Sequence, residues 1–358
     1  MPLYMDIHTV DSDSFTVEDV VKAHMQDLAI QDQFGVTQIK YWVNVEAKTI
    51  FCLMKGPDKN ACNMVHKESH GGTACNIIEV SDDEFNLYMG EGKKENDLAF
   101  TNSGELDSGY RTVLLLRIFD FTGHYGYSHD EIHRIIEQHR GVVIIQPEDD
   151  IMVSFIRATD AILCGLAIDK MLQRIPGHIE FNLALACGRP VDEQGMNLFE
   201  ETKKKIQSFC DLGLTKTIYV DSETKALSEK EHISAQANAS EFKIVQNKEI
   251  LLMIRLHDIL SREIPNSEFK SDDLNELLGF SKSQTYRKIK SLTGLAPNQL
   301  IQEVRLRQSL KNLKKSGNTI AEIAYDFGFN SPTYFTRVFK NRFHITPTDF
   351  TKLYSTVK

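Results

Sequence analysis

The sequence predicts a multidomain chain: two α+β sandwiches of the ferredoxin-like plan, then an all-α domain carrying two helix-turn-helix units. Three observations predict it. The first eighty residues alternate short apolar strands with amphipathic helices in the order βαββαβ. A second α+β pattern opens at the apolar run 112–119. Beyond residue 248 the pattern is almost wholly helical, and one unit (short helix, Gly turn, polar cap, basic helix) occurs twice. The chain's 358 residues exceed one typical domain, and its 41% hydrophobic and 25% charged content suits soluble globular cores.

In the first domain, 1–80, residues 2–10 read as a strand with Leu3, Met5 and Ile7 on one face. Residues 16–34 have helical spacing through Val17, Val20, Val21, Met25 and Leu28, behind an N-capping Thr16. Residues 38–43 and 49–54 are strands around a turn. Residues 58–70 form a second helix, ended by Gly71-Gly72, and 74–80 a last strand. The acidic, Gly/Asn-rich stretch 81–109 reads as a linker. The second domain, 110–227, has strands at 112–119, 141–146, 150–155, 180–188 and 217–220, with helices at 128–140, 158–174 and 198–212. A polar stretch, 228–247, reads as a second linker before the helical domain 248–358.

The start, Met1-Pro-Leu-Tyr-Met-Asp-Ile-His, has no basic n-region, and no eighteen apolar residues follow one another. The expectation is a cytoplasmic protein with no membrane partner. The six cysteines lack CxxC spacing, which fits reduced, mostly buried thiols. The net charge of -9 hides an asymmetry. Residues 251–358 hold 17 Lys+Arg against 10 Asp+Glu, so totals of 41 and 50 leave 24 and 40 for the rest. A basic end on an acidic body points to a polyanionic partner for that end.

His66 and His70 stand i, i+4 on the second helix, which is metal-ligand spacing. His24 lies on the first helix, and both helices of such a unit cover the same sheet face. Asp6 and His8 project from the side of the first strand opposite Leu3 and Ile7. The metal candidates are therefore His8, His24, His66 and His70. Each alone is more often a surface or satisfied core histidine. Cys52, Cys62 and Cys75 would add soft ligands, but their apolar neighbours suggest core.

In the helical domain, Leu274, Leu277 and Leu278 mark a short helix, followed by a Gly turn and a capping Ser281. The next helix carries Lys282, Arg287, Lys288 and Lys290 around an apolar thread of Tyr286 and Ile289. Residues 320–331 repeat the helix, the Gly328 turn and the cap, and a helix with Thr333, Tyr334, Thr336, Arg337 and Lys340 follows. Residues 297–313 form one long amphipathic rod between the units. In such a motif the first helix braces the second, whose outer face enters the major groove.

Here the residues resemble the AraC/XylS family. The resemblance rests on FSKSQTYRKIKSLTGLAPNQLIQEVRLRQSLKNL and IAEIAYDFGFNSPTYFTRVFKNRFHITPTDF, within about 251–353. It implies two units touching successive major grooves on one face of double-stranded DNA. By position, Ser283, Gln284 and Arg287 would read bases in the first unit, and Ser331, Thr333, Tyr334 and Arg337 in the second. Lys282, Lys288, Lys290 and Lys340 would hold phosphates. Tyr334 is alternatively half-buried, and Phe335 and Phe339 read as core.

The middle segment, through RTVLLLRIFDFTG, QPEDDIMVSF, ATDAILCGLAIDKML and FNLALACGRP, looks like a class III nucleotidyl cyclase homology domain. Such cyclases hold two metal ions on two carboxylates. Here Arg117 stands at the first carboxylate position and Asp149 or Asp150 at the second. Glu201 and Lys205 replace the family's Asn and Arg. A cation among metal ligands argues against catalysis, so the expected roles are dimerisation or passive coupling. The first segment, through MPLYMDIH, VEDVVKAHMQDLAIQDQFGV, KYWVN, FCLMKGPDK and VHKESHG, is similar to a small bacterial family of ferredoxin-like proteins, some described as nickel-binding. That implies a divalent transition metal, nickel favoured, with zinc or copper alternatives since imidazole suits all three. No organic cofactor is expected.

Together these readings predict a one-component, non-enzymatic transcriptional regulator that works as a homodimer on promoter DNA and meets RNA polymerase if it activates. The rivals are a nucleotidyl cyclase fused to a DNA-binding tail, and a metal store or interaction platform.

Overall fold

The structure is a computed structural model and describes residues 1–90, 92–122, 129–145, 150–175, 178–231, 242–315 and 317–355. Its described elements form two mixed sheets with their helices, followed by a helical C-terminal region.

The first region runs β1 (Leu3–Thr9), α1 (Val17–Ile30), β2 (Thr37–Asn44), β3 (Thr49–Lys55), α2 (Lys59–His70) and β4 (Asn76–Val80). Thr16 caps α1 by accepting from the Asp19 N–H at 3.3 Å. The helix expected to reach residue 34 instead tightens into a 3-10 turn, Gln31–Phe34, stopped by Gly35 at φ 65°. The strands lie in the order β4-β1-β3-β2, antiparallel throughout. One face of β1 (Tyr4, Asp6, His8) lies beneath α1 and α2. The other (Leu3, Met5, Ile7) packs with Trp42, Phe51 and Leu53 into a core that continues into the second sheet.

The expected linker 81–109 is structured. It holds α3 (Asp82–Met89), β5 (Lys93–Glu95) and β6 (Leu98–Phe100), and β6 joins β2 in parallel to make a six-stranded sheet. Phe85, Tyr88, Met89 and Ala99 are buried in the core, and Arg111, which is 1% exposed, adds polar anchors. Its guanidinium grips both carboxylate oxygens of Asp107 at 2.9 and 2.8 Å and donates to the Tyr88 and Met89 carbonyls. Asp107 also accepts from the Trp42 indole at 3.2 Å. A buried bidentate pair holds the stretch down although its composition is that of a loop.

The second region contains β7 (Arg111–Asp120), α4 (His129–Gln138), β8 (Val142–Ile145), β9 (Asp150–Phe155), α5 (Ala158–Arg174), β10 (Ile179–Gly188), α6 (Glu200–Leu212), β11 (Ile218–Asp221), α7 (Ser222–Lys230) and β12 (Phe242–Val245). Its sheet order is β12-β11-β10-β7-β9-β8. β7 and β10 are buried along their whole length, which is why both read as continuous apolar runs. Leu114, Leu116 and Ile118 face α4 and α5, while Val113 and Leu115 join the core on the α6 side. The second expected linker, 228–247, also shrinks: β12 pairs in parallel with β11, and only 232–241 lie outside the described residues.

The C-terminal region is α8 (Asn247–Glu263), α9 (Ser271–Leu278), α10 (Lys282–Thr293), α11 (Pro297–Lys314), α12 (Ile320–Asp326), α13 (Pro332–Phe343) and α14 (Pro347–Ser355). α11 is buried on two sides. Leu300, Ile301 and Val304 pack with α8 to α10, and Leu306, Leu310 and Leu313 with α12 to α14. Among the described residues no helix is long and apolar enough to cross a membrane.

Candidate nucleic-acid interface and metal centre

Each half of the C-terminal region is built by local sequence. Gly279 closes α9 at φ 69°. Ser281 then caps α10: its Oγ accepts from the Gln284 N–H, and the Gln284 side chain accepts from the Ser281 N–H at 3.0 Å. In the second half Thr319 and Glu322 form the same reciprocal cap on α12. Gly328 follows at φ 73°, and a Cβ there would lie 2.3 Å from the Ile264 carbonyl oxygen, so glycine is required twice over. Ser331 caps α13 by accepting from the Tyr334 N–H at 3.3 Å, with Pro332 at the first helical position.

Both second helices turn a polar face outward. On α10, Lys282, Ser283, Tyr286, Arg287 and Lys290 are exposed, while Thr285, Ile289 and Leu292 are buried. Tyr286, read as apolar thread, is instead 51% exposed on the outward face; Thr285 is the core residue. On α13, Thr333, Tyr334, Arg337 and Lys340 are exposed over buried Phe335, Phe339 and Phe343.

Some expected contact residues are engaged internally. Gln284 and Ser331 serve as caps. Lys290 turns its ammonium back to the Gly294 carbonyl, and Lys288 lies 5.1 Å over the Phe280 ring. Lys282 stands 3.6 Å from Asp272. The Tyr334 hydroxyl donates to Gln302 at 3.1 Å, and the Arg337 guanidinium lies 5.2 Å over its ring. Tyr334 thus props Arg337 outward.

In the first region, His8, His24, Asp27, Cys52, His66 and His70 line one cavity of about 420 Å³ beneath α1 and α2. His66, 1% exposed, sits between two carboxylates: its Nε2 is 3.0 Å from Asp6 and its Nδ1 2.9 Å from Asp27. Burial alone would depress its pKa, but hydrogen bonds and charge from Asp27 and Asp6 raise it to about 10. Burial works to raise both carboxyls, yet histidine charge and hydrogen bonds hold each below the usual range: His8 and His66 act on Asp6, and His66 and His70 on Asp27. Burial pushes the Cys52 thiol well up, with Asp6 adding to it.

Ligand atoms of Asp6, His8, Cys52 and His66 lie within 4.8 Å of one another, as do those of Asp27, His66 and His70. Two buried carboxylates share one buried base, so the pocket favours a cation, either the proton on His66 or a metal ion. Carboxylate, imidazole and thiol together suit a borderline transition metal. His24 lines the cavity but belongs to neither group. Its Nε2 meets Asp97 at 3.3 Å, and its buried Nδ1 has no hydrogen-bond partner among the described residues.

Sequence reading missed Asp27 and set Cys52 aside. The available signal was the stripe Val20, His24, Asp27, which puts polar residues at core spacing on the inner face of α1.

In the second sheet, Arg117 stands opposite Asp150 in register and grips it through two bonds of 2.7 and 2.9 Å. It also pairs with Asp211 on α6. Asp149, the other candidate carboxylate, lies outside the described residues. Glu201 spends its N–H on Asp192, and Lys205 stands 3.7 Å from Asp221.

Residues 274–353 match the family described as "Helix-turn-helix domain", and residues 4–80 the family described as "Nickel responsive protein SCO4226-like". The chain is similar to the HTH-type transcriptional regulator MtrA of Neisseria gonorrhoeae, with 31% identity over 27% of this chain and 33% of that one. It is 33% identical to the probable transcription factor PqrA of Proteus vulgaris, over 24% of this chain and 70% of that one. A solved structure, SCO4226 from Streptomyces coelicolor A3(2), is 32% identical over 22% of this chain and 94% of that one, with a TM-score of 0.21. The chain spans about a third or less of the length of the first curated relatives it matches. With an SCO4226-like segment at its front, the chain belongs to the AraC-type helix-turn-helix family.

Proposed function

We propose that this chain is a sequence-specific, DNA-binding transcriptional regulator in which a metal-responsive front domain and a non-catalytic middle domain govern an AraC-type reader. The observation that carries the reading is the pair of capped helices, α10 and α13, with outward Arg, Lys and Tyr side chains on one rod. Ser283, Tyr286, Arg287, Thr333 and Arg337 are the base-reading candidates, and Lys282 and Lys340 the phosphate holders. The reader acts in the cytoplasm as a homodimer and engages RNA polymerase where it activates. Arg337→Ala should cost about 1–3 kcal/mol at one base position of a duplex enriched from a random library. An equal loss on every sequence would make Arg337 a phosphate contact instead.

The strand order β4-β1-β3-β2, and its equivalent β10-β7-β9-β8, support a ferredoxin-like core in both front domains. The middle domain is of cyclase type but without catalysis, because Arg117 stands at one carboxylate position and grips Asp150 at the other. In the front domain Asp6, His8, Cys52 and His66 would hold a divalent metal, nickel first, with Asp27 and His70 beside it. Bound metal would favour one arrangement of the pocket, and any DNA response requires unequal affinity for two arrangements. Protein dialysed against Ni²⁺ should retain it by elemental analysis, and His66→Ala with His70→Ala should lose it. Wild-type protein that emerges metal-free would remove the metal reading and leave the DNA reading standing.

A further inference from the structure

We infer that Glu180 and Lys243, two residues of the middle sheet, are positioning residues for DNA reading: they fix how far apart and at what angle the two recognition helices stand. This rests on the DNA-binding reading proposed above. Arg342 belongs to α13 but is half-buried and turned away from the outward face. It bridges Glu180 on β10, at 2.9 Å, and Glu303 on the rod, at 2.8 Å. Glu180 is 7% exposed, and besides Arg342 its carboxylate meets His178 at 3.4 Å.

The other reading helix is held from the same sheet. Lys243 on β12 donates to the Leu292 carbonyl at 2.6 Å and the Ser291 carbonyl at 3.2 Å. These carbonyls form the last turn of α10, where a cation complements the negative end of the helix dipole. The rod between them is tied down too, by Lys311 to Asp150 at 2.8 Å and by Arg307 to the Gly213 carbonyl at 3.0 Å.

The consequence is geometric. α11 links the two units covalently, but a helix alone sets only an axial distance. Charge-assisted bonds from β10 and β12, separated by one strand in a single hydrogen-bonded sheet, add the second and third points of support. Rotation of either head about the rod then breaks a bond to the sheet. The sheet therefore acts as a jig, and DNA sites with the wrong spacing between their two halves are rejected.

The test uses the full chain and selection from a random-sequence duplex library. Wild-type protein should enrich two submotifs at one fixed spacing. The Glu180→Gln/Lys243→Gln double variant should enrich the same submotifs over several spacings, with affinity lower by about tenfold. Glu180→Asp, which keeps the charge, should restore the single spacing. A double variant with unchanged spacing and affinity overturns the proposal. Should Glu180→Gln fail to fold, Lys243→Gln alone carries the same comparison. Amide hydrogen exchange across 282–293 and 332–343 reads the two clamps without DNA: exchange in both should quicken about tenfold in the double variant, and unchanged exchange also overturns it. Wild-type protein that enriches no sequence would defeat the DNA-binding reading, while the exchange measurement would still decide the clamp.

Discussion

Phe339→Ala is expected to cost about 3–5 kcal/mol and to dismantle the second helix-turn-helix unit. The ring is fully buried, with Phe335, Phe343 and Phe350 centred 5.6, 4.8 and 6.1 Å away. The cluster also holds Leu306, Leu310 and Leu313 from the rod. It reaches into the middle domain through Phe121, whose ring stacks on Phe343 at 5.1 Å. A domain's whole stability is about 5–15 kcal/mol, so removing one such ring is a large fraction of it. Denaturant unfolding followed by α-helical signal should show the loss, whereas Val338→Ala, on a half-buried neighbour, should show far less. A cost below about 1 kcal/mol at Phe339 would mean that the packing differs from that described.

DNA affinity should fall steeply with salt. The outward cations Lys282, Arg287, Arg337 and Lys340 are candidates for phosphate contact, and Lys288 and Lys290 join them if DNA draws them off Phe280 and Gly294. About four to six phosphate contacts give a slope of log affinity against log salt of about −4 to −5. Between 50 and 200 mM salt, roughly, that is a loss of about 10²–10³-fold. Anisotropy of a labelled duplex measures it. A slope near zero would leave the basic end of an acidic chain without its polyanion.

The helical end was the most legible part of the chain because its determinants are local. Caps at Ser281 and Ser331, glycines at 279 and 328 and a 3.6-residue apolar period all lie within a few residues of what they specify. The two sheets were legible as alternating strands and helices for the same reason. What escaped was set by distant partners. Residues 81–109 have a loop's composition, and distant partners give them structure: Asp107 is gripped by Arg111 and accepts from Trp42, sixty-five residues away, while Phe85, Tyr88, Met89 and Ala99 are buried in the core. Strands of three residues, such as β5 and β6, carry too few side chains to show a period.

The metal pocket was half legible. His66 and His70 share a helix face and declare themselves, while Asp27 reaches them from another helix and Cys52 from a central strand. Tyr286 was misassigned because an aromatic between basic residues fits either face of a helix. The pairing of Arg117 with Asp211 was not legible, because it required the packing of α6 on β7.

Two heads on one rod are expected to grip a single face of duplex DNA. Hydroxyl-radical footprinting of the full chain on a duplex enriched from a random library addresses it most directly. Two protected patches about one helical turn, 10–10.5 base pairs, apart on the same face are expected. One short patch, or protection spread evenly around the duplex, would contradict it.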